Sequence, residues 1–114
     1  MATEEGFLSG HDHRDCPAEL ALRVMQGRWK VLILRELAES LRRFSALQRS
    51  LPGVSQKVLT TQLRELEADG VVERTVHPEV PPRVEYALTP RGRALLPILD
   101  GLHAWGAAEP PAGA

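Results

Sequence analysis

Few side chains in this sequence are equipped for chemistry. Cys16 is the single cysteine, and a helix expected to start at Pro17 sets its sulfur beside unpaired N–H groups whose partial positive charge favours thiolate over thiol. Such a sulfur reacts with oxidants and electrophiles. The opposing reading is a small buried hydrophobe, with the nearby Glu19 disfavouring the thiolate. His11, His13 and Cys16 raise the question of a metal site, but no carboxylate or further histidine stands at convincing ligand spacing, so no metal is expected. One thiol also excludes a thiolate zinc cluster and an intramolecular disulfide. No nucleophile has a local base, Asp12 between two histidines makes no triad, and no glycine loop is built to cradle phosphate. Neither catalytic residues nor cofactors are expected.

The remaining candidate chemistry is non-covalent and lies in "SQKVLTTQLREL", Ser55 to Leu66. At about 100° per residue, Val58, Leu59, Leu63 and Leu66 fall within one arc roughly 140° wide, the core side of a helix. Gln56, Lys57, Thr60, Thr61 and Arg64 fall outside it and form a basic, hydroxylic face. The net charge of the 114-residue chain is −1, yet the distribution is uneven. Residues 27–64 carry Arg28, Lys30, Arg35, Arg42, Arg43, Arg49, Lys57 and Arg64 against Glu36 and Glu39, a net +6, whereas residues 1–26 carry −3 and residues 65–114 carry −4. A basic centre between acidic ends fits a polyanionic partner if folding gathers those charges on one face.

The elements that must position that face can be read in order. With 43% hydrophobic and 25% charged residues, the chain has the composition of one soluble domain with a single core. It shows no membrane-length apolar run and no export signal, and the lone thiol suits a reducing compartment, so a cytoplasmic protein is expected. Residues 1–15 and 107–114 have few core formers and are expected to be flexible tails around a domain spanning 16–106. "CPAELALRVMQG" reads as a first helix with Pro17 in its first turn and Gly27 at its exit. "RWKVLILRELAES" reads as a second, apolar on most sides and central to the core. "RRFSALQRSLPG" gives a short third helix, Ser45 and Gln48 having the spacing of a capping box. Ser55 caps the fourth, and Gly70 closes it. The period then changes to two: Val72, Arg74 and Val76, then Val84, Tyr86 and Leu88, flank "PEVPP" and predict a hairpin. Thr89 and Pro90 open a fifth helix bearing Leu95, Leu96, Ile98, Leu99, Leu102 and Trp105. This order predicts a mainly α fold with a small β-hairpin (α+β), a winged helix-turn-helix. In such a fold the second helix of the pair needs one greasy side for the core and one hydrogen-bonding side for the major groove of DNA.

"CPAELALRVMQGRWKVLILREL", "RRFSALQRSLPGVSQKVLTTQLRELEADGVVERTVHPEVPPRVEYALTPRGRALLPIL" and the late Trp105 together resemble the HxlR-type bacterial transcription regulators. The likeness runs from Cys16 to about Trp105 and departs where the usual glycine before "RRF" is replaced by Ser40–Leu41. It implies a homodimeric winged-helix protein that binds a DNA operator and answers a small reactive or metabolic effector; in similar proteins a cysteine at the place of Cys16 can be the sensor.

Ser55, Gln56, Lys57, Thr60, Thr61 and Arg64 are therefore the expected DNA contacts on the fourth helix. Lys30 near the start of helix two and Arg43 before helix three suit phosphate clamps, or plain solvation. Arg83, beside the wing tip, suits a minor groove or a cross-strand pair with a glutamate. The fifth helix has more apolar circumference than one core contact needs. The first and fifth helices, through Leu20, Leu95, Leu99, Leu102 and Trp105, are thus expected to form a two-fold interface, which requires a roughly palindromic operator. The alternative is a winged-helix module that uses the same surface for another protein.

Overall fold

In the computed structural model, residues 16–108 are described; the expected tails, with His11, His13 and Asp12, lie wholly or mostly outside them. Helix α1 (Pro17–Val24) begins with proline in its first turn, and Cys16 occupies its N-cap position. It stops at Met25, three residues before α2 (Arg28–Glu39), so Gly27, expected at the exit of the first helix, instead caps the second with φ 94°. That left-handed backbone is one glycine adopts without a Cβ penalty. Ile33, Leu34 and Leu37 of α2 are fully buried and form the middle of the core.

Two features of the next segment differ from expectation. Arg42–Arg43 form a short strand, β1, and α3 starts only at Phe44 (Phe44–Ser50). Ser45 lies inside the first turn, no side chain caps the helix, and Gln48 instead reaches the Val54 carbonyl at 3.5 Å. Ser45 and Gln48 therefore form no capping box. Ser40, at the departure from the HxlR pattern, has φ −171°, extended backbone that needs no glycine. Gly53 (φ 95°) reverses the chain between α3 and α4 (Gln56–Ala68).

Strands β2 (Val72–His77) and β3 (Arg83–Leu88) pair antiparallel from Val72↔Leu88 to His77↔Arg83. The added β1 joins the free edge of β3 through Arg42↔Tyr86 and Arg43↔Glu85, giving the order β1-β3-β2. The hairpin is thus the wing of a three-stranded sheet, tied at its base to the start of α3.

The expected fifth helix is two. Thr89 caps α5 (Pro90–Arg93) by accepting from the Gly92 N–H, and α6 follows as Leu96–Ala107. Pro97 explains the break: it has no N–H for the Arg93 carbonyl and its ring crowds that turn. Gly92 is required for close approach, because a Cβ there would lie 2.1 Å from the Val71 carbonyl oxygen.

Candidate nucleic-acid interface

The candidate interface is built on α4. Ser55 Oγ accepts from the Val58 N–H at 3.0 Å, satisfying one of the helix's orphan donors. Leu59, Leu63 and Leu66 are at most 1% exposed and lock the inner flank against α2 and the sheet; each fully buried leucine is worth about 1.5–3 kcal/mol. Gln56, Lys57, Thr61 and Arg64 are exposed and Thr60 is half-buried. Inner and outer flanks therefore divide as the sequence predicts, with one correction. Val58 belongs outside, 38% exposed, since it sits at the edge of the apolar arc in the first turn, beyond the reach of the core.

Thr61 Oγ1 donates to the Lys57 carbonyl at 3.1 Å. Its hydroxyl hydrogen is thereby used within the helix, leaving an acceptor lone pair and a methyl group for a ligand. Lys57, Arg64 and Arg43 have no ion-pair partner among the described residues; the paired cations are Arg23, Lys30, Arg42 and Arg83. Unpaired, solvated cations on the front of α4 can exchange their counterions for phosphates without first breaking a salt bridge.

Lys30 is corrected. Its ammonium is not at the surface: the residue is 6% exposed, and Nζ lies 2.6 Å from Glu65 Oε1. The first turn of α2 packs against α4, so the side chain points between the helices and cannot clamp a phosphate. Arg43 is exposed on β1, opposite Glu85. Arg83 does pair with glutamates, but not across strands: its guanidinium meets Glu85 Oε2, two residues along β3, at 2.7 Å and Glu79 Oε2 in the hairpin loop at 2.8 Å, while His77 Nε2, on β2, meets the other Glu85 oxygen at 2.9 Å. The Arg83 hydrogen bond holds the Glu79 carboxyl below its ordinary value; His77 first, and Arg83 after it, do the same for Glu85.

Arg74 is a residue that sequence reasoning missed. It is exposed on β2 and, with Gln56, Thr60, Arg64 and Glu67, lines the groove between α4 and the sheet. Its place in the alternation of Val72 and Val76 hid it; the signal was its charge on a strand otherwise apolar on that face.

The remaining residues lie away from this front. Cys16 is partly exposed. Leu20 is 47%, Leu102 48% and Trp105 82% exposed, whereas Leu95 and Leu99 are half-buried against the chain's own core. Among the described residues no group of histidine, cysteine or carboxylate side chains is arranged to hold a metal, and no helix is long and apolar enough to cross a membrane.

Helix-turn-helix followed by a sheet-borne wing defines the class: a winged helix-turn-helix. The HxlR-like helix-turn-helix pattern matches residues 24–112, and the chain belongs to that family. It is 54% identical over 89 residues to the uncharacterised HTH-type transcriptional regulator YtcD of Bacillus subtilis, covering 78% of this chain and 71% of YtcD. The crystal structure of YtcD superposes with a TM-score of 0.77 at 53% identity, covering 80% of this chain and 93% of that one. The redox regulator HypR in its reduced form gives 0.76 at 46% identity, over 79% and 89% of the two chains. The reduced form of the transcriptional regulator YodB from Bacillus subtilis gives 0.75 at 38% identity, over 84% and 97%. YtcD and YodB are thus described as transcriptional regulators and HypR as a redox regulator.

Proposed function

We propose that this protein is a cytoplasmic, sequence-specific DNA-binding transcriptional regulator that grips a roughly palindromic operator as a homodimer. The observation that carries the reading is the front of α4, where Gln56, Lys57, Thr61 and Arg64 stand exposed on a helix whose opposite flank is sealed by leucine. Lys57 and Arg64 pair with guanine edges or phosphates, Gln56 and Thr60 with base edges, and Val58 with the Thr61 methyl offers apolar contact to a thymine methyl. Ser55, already committed to its cap, contributes from the helix start. Arg43 and Arg74 take flanking phosphates.

Two such helices must be held about one DNA turn apart. The exposed Leu20, Leu102 and Trp105 on α1 and α6 supply the surface for a two-fold partner. Cys16, partly exposed at the N-cap of α1, is placed where an adduct formed with an oxidant or electrophile would disturb that spacing; the likeness to a redox regulator supports this reading.

The test is salt dependence. Neutralising about six phosphates gives a slope near −5 of log affinity on log salt, against a much flatter response for a protein partner. Lys57→Ala with Arg64→Ala should abolish specific retention of the operator, and normal binding by that variant would refute the assignment of α4. Cys16→Ser should remove operator release by quinones, aldehydes and hypochlorite; unchanged release would end the sensor reading.

A further inference from the structure

Lys30 is the one charged residue in the core among the described residues, and its position is costly on two counts. It lies in the first turn of α2, where the positive end of the helix dipole opposes a cation. Its side chain is also 8% exposed, so it has given up most of its hydration. A methionine of similar length would avoid both costs. What the lysine gains is Glu65, whose carboxylate it meets at 2.6 Å and whose side chain is 51% exposed on the flank of α4.

Lys57, Thr61 and Glu65 recur every four residues and so follow one stripe along α4. The ammonium therefore holds the C-terminal end of the stripe whose N-terminal end presents the polar front. Leu59, Leu63 and Leu66 prevent α4 from leaving the core, but apolar contact has no direction and resists a small rotation about the helix axis weakly. A turn of about 20° moves side-chain tips, some 5–6 Å from the axis, by about 2 Å. That is enough to break a base-edge hydrogen bond.

We propose that Lys30 is a positioning residue for the DNA-reading helix: through Glu65 it sets the rotation of α4, and hence where Lys57, Thr61 and Arg64 point. This rests on the DNA-binding reading above. Lys30 touches no DNA in this role, and it distinguishes the right sequence from the wrong one by geometry.

The experiment uses the full chain and a duplex that the wild-type protein selects from a random pool, with a scrambled duplex as control. Lys30→Met keeps the stem and removes the charge. It should weaken binding to the selected duplex about tenfold, leave the scrambled duplex and the salt slope unchanged, and melt within a few degrees of wild type. The exchange Lys30→Glu with Glu65→Lys rebuilds the pair with a carboxylate at the helix start, which the dipole favours, and should recover most of the loss. Unchanged selectivity in Lys30→Met would overturn the proposal. So would a slope shallower by about one, the mark of a lost phosphate contact. Full recovery in Lys30→Met with Glu65→Gln would also overturn it, because a bare carboxylate facing DNA would then explain the loss. If Lys30→Met fails to fold, the exchange variant decides: a folded exchange protein without selectivity sinks the idea. If the wild type selects no duplex, the DNA-binding reading has failed, whatever Lys30 does.

Discussion

Helices α4 and α6 are nearly equal in length, 13 and 12 residues, and opposite in what they leave uncovered. On α4 three leucines are sealed in the core and the uncovered side is mostly polar, Val58 apart, so the helix is at ease in water and takes a partner chiefly by exchanging ions and hydrogen bonds. On α6 no residue is buried, and Ile98 (48%), Leu102 (48%) and Trp105 (82%) are exposed. An exposed apolar patch of this kind marks a surface for contact with another apolar surface. The contrast separates a reversible, salt-sensitive contact from a standing one: in the function proposed above, the polar helix is the one that meets DNA and the apolar helix the one that meets a second copy.

Breaking α6 should have the largest effect, because it removes both halves of the comparison. Leu102→Asp with Trp105→Asp should give a monomeric mass by light scattering at micromolar concentration. Operator affinity should fall by about 10²–10⁴, the effective-concentration advantage of two linked reading heads. A dimeric variant would place the interface elsewhere. Breaking the front of α4 removes only one half. Lys57→Ala with Arg64→Ala should reduce operator affinity by about a hundredfold or more, since each well-placed base contact is worth about 1–3 kcal/mol. The mass and melting temperature should stay those of the wild type.

The two helices also differ in how far the sequence disclosed them. In α4 the periodic leucines, the Ser55 cap and Gly70 (φ 77°) all agreed, so both boundaries and the front were legible, apart from Val58 at the edge of the arc. In α6 the same apolar periodicity concealed the break at Pro97, because hydrophobic spacing continues through an interruption that only the missing N–H reveals. Strand β1 was hidden for another reason: two arginines carry no alternation, and their pairing with Tyr86 and Glu85 is a tertiary fact. Lys30 misled most. Its charge pointed to solvent, and only the meeting of α2 with α4 shows that a glutamate 35 positions later in the numbering receives it.

A smaller effect sharpens the account of α4 as a helix finished by its own sequence. Ser55→Ala removes the acceptor for the Val58 N–H and should cost about 1 kcal/mol of stability in a urea titration. Because the first turn carries Gln56, Lys57 and Val58, operator affinity should fall with it, whereas the dimer mass should not. A cap without effect on stability would mean that the front is held by the core alone.

The smallest effect belongs to the wing tip, which behaves as neither helix does because its charges are already satisfied by one another. Arg83 is shared between Glu79 and Glu85, and His77 takes the second Glu85 oxygen. Both carboxyls are held below the 4.5 of the free side chain, so their contribution is fully present above about that pH and lost as pH falls through the lower folded-state values. Melting curves should show a slight loss for the wild type in that acidic window and a flatter profile for Arg83→Ala. Solvent screening keeps the difference below that of Ser55→Ala. At neutral pH the same substitution should change the salt slope of operator binding by less than one, since a guanidinium already neutralised by two glutamates has little charge left to offer a phosphate. A slope shallower by a full unit would show that the wing releases its carboxylates on DNA, making it a second reading surface beside α4.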